Sequence, residues 1–246
     1  MGTCQIIGAL PALLIAVSAA FFPFSVPAQA GSAAGASFTE GEALFMRNKP
    51  AEAAAKLESA LKEDPANLTA VLYLAIAYQQ LARFDAGIEL LRKNLTRAGE
   101  KTALFAFNLG NLYFAKGSAS FAEPFYTKAL EADPNFASAL LNRANARIKT
   151  GALRDAVADY EQYLVLAPTT PQRPVIEKLI AFIEGEFQNA ERILLAAAEA
   201  ARAEEERRQR LLDEVAASLQ ASAEDTRGLS AGSEEVMGYD GEFVLE

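Results

Sequence analysis

Two periods organise the chain. At the short scale, apolar residues recur three and four apart, as in Val71, Leu72, Leu74, Ala75 and Tyr78, or Ala122, Tyr126, Ala129 and Leu130. That spacing predicts helices with one buried face. At the longer scale the landmarks return: Asn108, Gly110, Gly117, Ala122, Tyr126 and Pro134 are answered 34 residues later by Asn142, Ala144, Gly151, Ala156, Tyr160 and Pro168. Backwards, Leu74, Ala75 and Tyr78 precede Leu109, Gly110 and Tyr113 by 35, and Ala53, Leu57, Ala60 and Leu61 precede Gly87, Leu91, Asn94 and Leu95 by 34. One extra residue near Gly99 accounts for the longer interval.

Each unit reads as two helices. A small-residue turn joins them, at "AKGSA" and "KTGAL". The second helix closes in nearly the same words twice, "ALKEDPAN" at 60–67 and "ALEADPNF" at 129–136. Asp before Pro stops a helix there, because a residue preceding proline is pushed out of the α region. A small residue where the two helices cross lets them approach, and an aromatic one turn later fills the gap to the next unit.

This pattern, a Leu-Gly-x2-Tyr first helix followed by Ala-x3-aromatic and Pro, resembles the tetratricopeptide repeat. Residues 103–136 match best, through Leu109, Gly110, Tyr113, Ala122, Tyr126, Ala129 and Pro134. Residues 137–170 match through Ala144, Ala156, Tyr160 and Pro168, but place Arg143 and Arg147 where Leu and Tyr are usual. Residues 68–102 keep Leu74, Ala75, Tyr78 and Leu91, with Gly99 in place of proline; residues 34–67 keep Gly41, Ala53, Leu57, Ala60 and Pro65. The resemblance implies an all-α solenoid of about four helix–turn–helix repeats over 34–170.

From 174 to 221 a capping helix and a long charged helix are expected. Val175, Ile176, Leu179, Ile180, Phe182, Ile183 and Phe187 are too apolar to stand free, and stacked repeats need a terminal cap. Beyond Leu194 large apolar residues vanish until Leu211. Glu204 with Arg208 and Glu206 with Arg210 are four apart, each supporting a solvated helix by roughly 0.2–0.5 kcal/mol. The alternative is a short helix-pairing, coiled-coil segment using Leu211, Leu212, Val215 and Leu219. Residues 222–246 contribute −6 of the net charge of −9 and are expected to be disordered. Their apolar end, "VMGYDGEFVLE", is a candidate docking motif.

Residues 1–30 carry no charged side chain, and 6–26 are apolar apart from two Ser. Ala28 and Ala30 form an A-x-A cleavage pattern, so a signal peptide and export to the periplasm or cell envelope are expected. The alternative is an inner-membrane anchor through residues 6–26, long enough to span a bilayer.

Composition narrows the function. There is no His, and the only Cys is Cys4, which removes the commonest general base, the commonest transition-metal ligand, any disulfide and a Cys-based zinc site. No catalytic residue, metal or cofactor is assigned, and no enzyme is expected. A net charge of −9 argues against nucleic acid and against an anionic membrane surface as partners, since both demand clustered Lys and Arg.

A protein partner is what the family resemblance implies: first helices of such repeats line a groove that receives an extended peptide or a partner helix. On this chain the lining is Leu72, Ile76 and Gln79, then Phe107, Asn108, Asn111 and Phe114, then Leu141, Asn142, Asn145 and Lys149. Asn108 and Asn111 share one helix face, and Asn142 and Asn145 repeat them one unit on. An amide both donates and accepts, so such a ladder can grip a peptide backbone without reading its sequence. Asn108 and Asn142 have an alternative role, tying neighbouring helices together. A Lys–Asn clamp on a C-terminal carboxylate would have to draw its charge from Lys149, Arg143 or Arg147. The partner then sits in the groove, or, on a second view, is recruited by the C-terminal helix or tail with the repeats as spacer.

Overall fold

A computed structural model of the chain describes residues 35–231. The leader expected over 1–30 and the apolar end of the tail lie outside those residues. The described residues form nine α-helices and one 3-10 turn, Gly99–Lys101, with no strand among them. The helices are α1 (Ala36–Met46), α2 (Pro50–Glu63), α3 (Leu68–Gln80), α4 (Phe84–Leu95), α5 (Thr102–Ala115), α6 (Ala119–Ala132), α7 (Ala137–Thr150), α8 (Leu153–Leu166) and α9 (Arg173–Ala231). They fall into two units that divide at Gly185, within α9.

In the first unit the period is visible as repeated backbone chemistry. The helix-to-helix turns place Asn48, Ala82, Gly117 and Gly151 in the left-handed region, with φ of 56°, 55°, 86° and 83°. In each, the next residue's N–H reaches back to a carbonyl five residues earlier: Lys49 to Leu44, Arg83 to Tyr78, Ser118 to Tyr113 and Ala152 to Arg147, at 2.8–3.0 Å. This is the Schellman closure, which satisfies carbonyls the helix end would otherwise leave bare. Glycine adopts it freely; Ala82 does so at a steric cost.

The Asp-Pro endings share a second motif. The Asp64 Oδ1 accepts from Ala66 N at 2.9 Å and the Asp133 Oδ1 from Asn135 N at 3.1 Å, so each aspartate both ends a helix and folds the turn after it. Asn67 then caps α3 by accepting from Ala70 N at 3.0 Å. At the third ending the aspartate is replaced by Ala167. There a different contact closes the turn: Arg173 donates to the carbonyls of Leu164 at 2.7 Å and Pro168 at 3.0 Å.

Each helix from α1 to α7 packs on its successor, and the first helices also touch one another in the series α1–α3–α5–α7. The core is accordingly a string of small clusters. One joins Val71, Leu72 and Ala75 to Leu91, Phe105, Leu109 and Leu112; another joins Ala106, Ala129 and Ala139. Each cluster bridges one hairpin to the next, as stacked repeats require. Burying a Leu57 or Leu91 completely stabilises by about 1.5–3 kcal/mol. Gly110 marks the tightest crossing: a Cβ there would lie 2.5 Å from the Tyr126 ring. At the end of this unit, Ile176 and Ile183 are buried while Val175 is exposed.

In the second unit α9 continues as a helix whose side chains from 191 to 224 are all exposed. It also runs past the boundary expected at 221, through Gly228 to Ala231. Among the described residues no helix is long and apolar enough to cross a membrane.

Candidate peptide-binding groove

The first helices α3 and α5 carry no charged side chain, and α7 carries only Arg143, Arg147 and Lys149. α3, α5 and α7 touch in series; Tyr113, Arg143 and Arg147 turn to residues of the second helices, and the other half-buried residues form the candidate face. Ile76, Gln79, Phe107, Asn111, Phe114 and Asn145 are half-buried on these helices, and Lys149 is exposed.

The asparagines divide by the bonds they make. Tyr126 donates its hydroxyl to Asn111 Oδ1 at 3.0 Å, and Asn142 Nδ2 donates to the same oxygen at 2.8 Å. One unit on, Tyr160 donates to Asn145 Oδ1 at 2.6 Å. Burial holds the Tyr126 hydroxyl well above its ordinary pKa, although its contact with Asn142 works the other way. Burial does the same for Tyr160, with Asp159 adding to the effect. Both hydroxyls therefore stay protonated donors across the physiological range, which fixes each Asn oxygen inward. Among the described residues the Nδ2 groups of Asn111 and Asn145 have no hydrogen-bond partner. Since no buried side-chain polar atom among the described residues lacks one, these amide N–H groups open to solvent. They are fixed donors, held by a buried phenol behind them.

Four expected lining residues are corrected. Leu72 is buried in the core between α3, α4 and α5, because its side chain fills the seam between hairpins. Asn108 is buried and donates its Nδ2 to Leu104 O of its own helix at 2.8 Å, so it neither lines the face nor ties helices together. Leu141 is buried as well; with Asn142 it borders a cavity of about 330 Å³ between the start of α7 and the chain at 163–171. Asn142 is buried too and does not line the face; it ties neighbouring first helices, through Asn111. Phe107 is half-covered by Phe136 and Tyr126, at ring separations of 4.7 and 6.0 Å. At the far end, the Lys149 ammonium stands over the Phe114 ring at 4.7 Å.

Arg143 and Arg147 are not available to clamp a carboxylate. Arg143 makes a bidentate pair with Asp159, at 2.9 and 2.7 Å, and donates to Thr127 Oγ1 at 3.1 Å. Arg147 donates to Asp159 at 2.7 Å and to Glu123 at 2.8 Å. The Asp159 side chain is only 4% exposed. Burial disfavours the Arg147 charge, but Glu123, Asp159 and Asp155 outweigh it and raise its pKa further. Sequence reasoning flags the two arginines and misses Asp159. The signal is the period itself: 34 residues earlier, Leu109, Tyr113 and Phe125 stand where Arg143, Arg147 and Asp159 stand. Among the described residues no group of three or more Asp, Glu, Cys or His is placed to hold a metal ion.

Comparison with known proteins agrees with this architecture. Sequence profiles described as tetratricopeptide repeat match residues 44–97, residues 125–158, and residues 8–67 with 72–135. A curated relative, Protein FlbA of Caulobacter vibrioides, is 30% identical over 132 residues, which is 54% of this chain and 22% of FlbA; the chain thus spans about a fifth of that relative's length. Solved structures with the same fold include MamA from AMB-1, with a TM-score of 0.55 at 23% identity over 64% of this chain and 91% of that one. A tetratricopeptide repeat protein from Parabacteroides merdae ATCC 43184 gives 0.53 at 19% identity, over 65% and 64%.

Proposed function

The chain belongs to the tetratricopeptide repeat family, and on that premise we propose that it is an exported, non-enzymatic scaffold. It holds an extended peptide or a partner helix against the face of α3, α5 and α7, within a complex of the cell envelope. One observation carries the reading: Asn111 and Asn145 present amide donors of fixed orientation on a face without carboxylates. Donors repeated once per unit suit main-chain carbonyls, and Ile76, Phe107 and Phe114 beside them suit apolar side chains. Support for export is the uncharged first thirty residues and their A-x-A pattern.

The test is affinity capture from the native envelope with quantitative mass spectrometry, using the wild-type chain and an Asn111→Ala/Asn145→Ala variant. The reading expects the variant to keep its helical circular dichroism and lose the captured partner at least tenfold, since two charge-neutral hydrogen bonds contribute about 1 kcal/mol each. Unchanged capture would overturn it. A second reading rests on the exposed Leu194, Leu211 and Leu212 of α9: recruitment through this helix, with the repeats as spacer. It is preferred if deletion of 190–221 abolishes capture while the asparagine variant retains it.

A further inference from the structure

Residues 191–224 of α9 are exposed along their whole length, yet Leu194, Leu212, Val215 and Leu219 are among them, at 71%, 56%, 49% and 67% exposure. These four are not scattered. Leu194, Ala198, Ala201, Glu205, Arg208, Leu212, Val215 and Leu219 follow one another by alternating steps of four and three. That alternation places all eight on one face with the period of a coiled-coil seam, about 38 Å long at the helical rise. The charges of the same stretch are blocked: Glu204, Glu205 and Glu206 are followed at once by Arg207, Arg208 and Arg210.

We propose that this face docks a second copy of the same chain, antiparallel, about a two-fold axis passing between residues 206 and 207. In that register Leu194 meets Leu219 of the other copy, Ala198 meets Val215, Ala201 meets Leu212, and Glu205 meets Arg208. Each layer occurs twice, as an isologous interface requires. Three features select this pairing. First, every small residue faces a large one, so the two alanines that interrupt the apolar stripe make room and leave no gap. Second, the central layers set carboxylate against guanidinium, whereas a parallel pair in register would stack Glu205 on Glu205 and Arg208 on Arg208. Third, the flanks oppose Arg202 with Gln209 and Glu204 with Leu211, so no like charges meet. In the single chain Glu205 and Arg208 already pair across one turn at 2.8 Å while both remain largely exposed. Exchanging that intrahelical pair for two across the seam sacrifices little, because an exposed pair contributes little. This interface involves α9 alone and is independent of the groove.

The test uses the full chain carrying Cys4→Ser. Sedimentation equilibrium is expected to show a dimer, and Leu212→Asp/Leu219→Asp to abolish it with the helix content kept, since both side chains are exposed in the monomer. Glu205→Arg is expected to weaken dimerisation by about tenfold or more, and Glu205→Arg/Arg208→Glu to restore it. For orientation, a chain with Ala201→Cys mixed with a chain with Leu212→Cys should form a mixed disulfide under oxidation, while neither links to itself. A monomer at every concentration, a dimer indifferent to the aspartates, or self-linking of the Ala201→Cys chain would each overturn the proposal.

Discussion

Residues 103–136 and 137–170 are the same module filled in two ways. In the earlier unit, Tyr113 stacks on Phe125 at 5.3 Å and 6° and lies 5.8 Å from Phe121. In the later one, the equivalent positions are Arg147, Asp159 and Asp155, and a lattice of charged hydrogen bonds replaces the rings. What does not change is the tyrosine–asparagine pair, Tyr126 with Asn111 and Tyr160 with Asn145. The hairpin therefore tolerates exchange of its filling but keeps the device that aims the amide. The ionic version adds direction: Arg143 reaches Thr127 and Arg147 reaches Glu123 on α6, so it also straps the last unit to the one before.

The two fillings are separated most severely at Asp159. Asp159→Ala leaves two nearly buried guanidiniums without their shared carboxylate, and a loss of about 3–5 kcal/mol is expected by denaturant unfolding. Copying the earlier unit, with Arg143→Leu, Arg147→Tyr and Asp159→Phe together, should leave stability unchanged or raise it by about 1–4 kcal/mol, since a well-packed apolar filling matches a buried ion network. Next comes Gly110→Ala. It should cost about 1–3 kcal/mol, because the added methyl meets the Tyr126 ring, whereas residue 144 in the later unit is already alanine and buried.

A smaller effect probes what the two units share. Tyr126 and Tyr160 are raised above the ordinary tyrosine range by burial, and Tyr78 is pushed up to about 12 by burial and by its hydrogen bond to Glu58. A folded-state pKa above the unfolded value of about 10 means that this stabilisation is complete below pH 10. It is lost as pH rises toward and through the folded value. Unfolding free energy should thus be level up to about pH 10 and fall above it, with a shallower fall in Tyr126→Phe/Tyr160→Phe. Smallest of all, Lys149→Ala removes an exposed cation–π contact and should change stability by about 0.5 kcal/mol.

Much of this architecture is legible in the residues themselves. The 34-residue period, the helix endings at Pro65 and Pro134 and the glycine turns at 117 and 151 follow from local chemistry that each unit must repeat. The groove is legible only as a set of positions. Leu72 and Leu141 stand on the same helices as Ile76 and Asn145, and periodicity alone does not say which side of a first helix the next hairpin covers. The role of Asn111 is hidden because its partners, Tyr126 and Asn142, come from other helices. Asp159 is hidden because a charged residue on a second helix reads as solvent-facing until the two arginines opposite are placed.

The proposed function turns on whether the α3–α5–α7 face holds another polypeptide. A photoreactive amino acid introduced at Gln79 or Phe114, and as control at the exposed Lys128 or Glu161 of the second helices, reads this directly in the native envelope. One and the same partner should be cross-linked from both first-helix positions and none from the controls. Adducts from the second helices with the first helices silent would contradict a groove on this face.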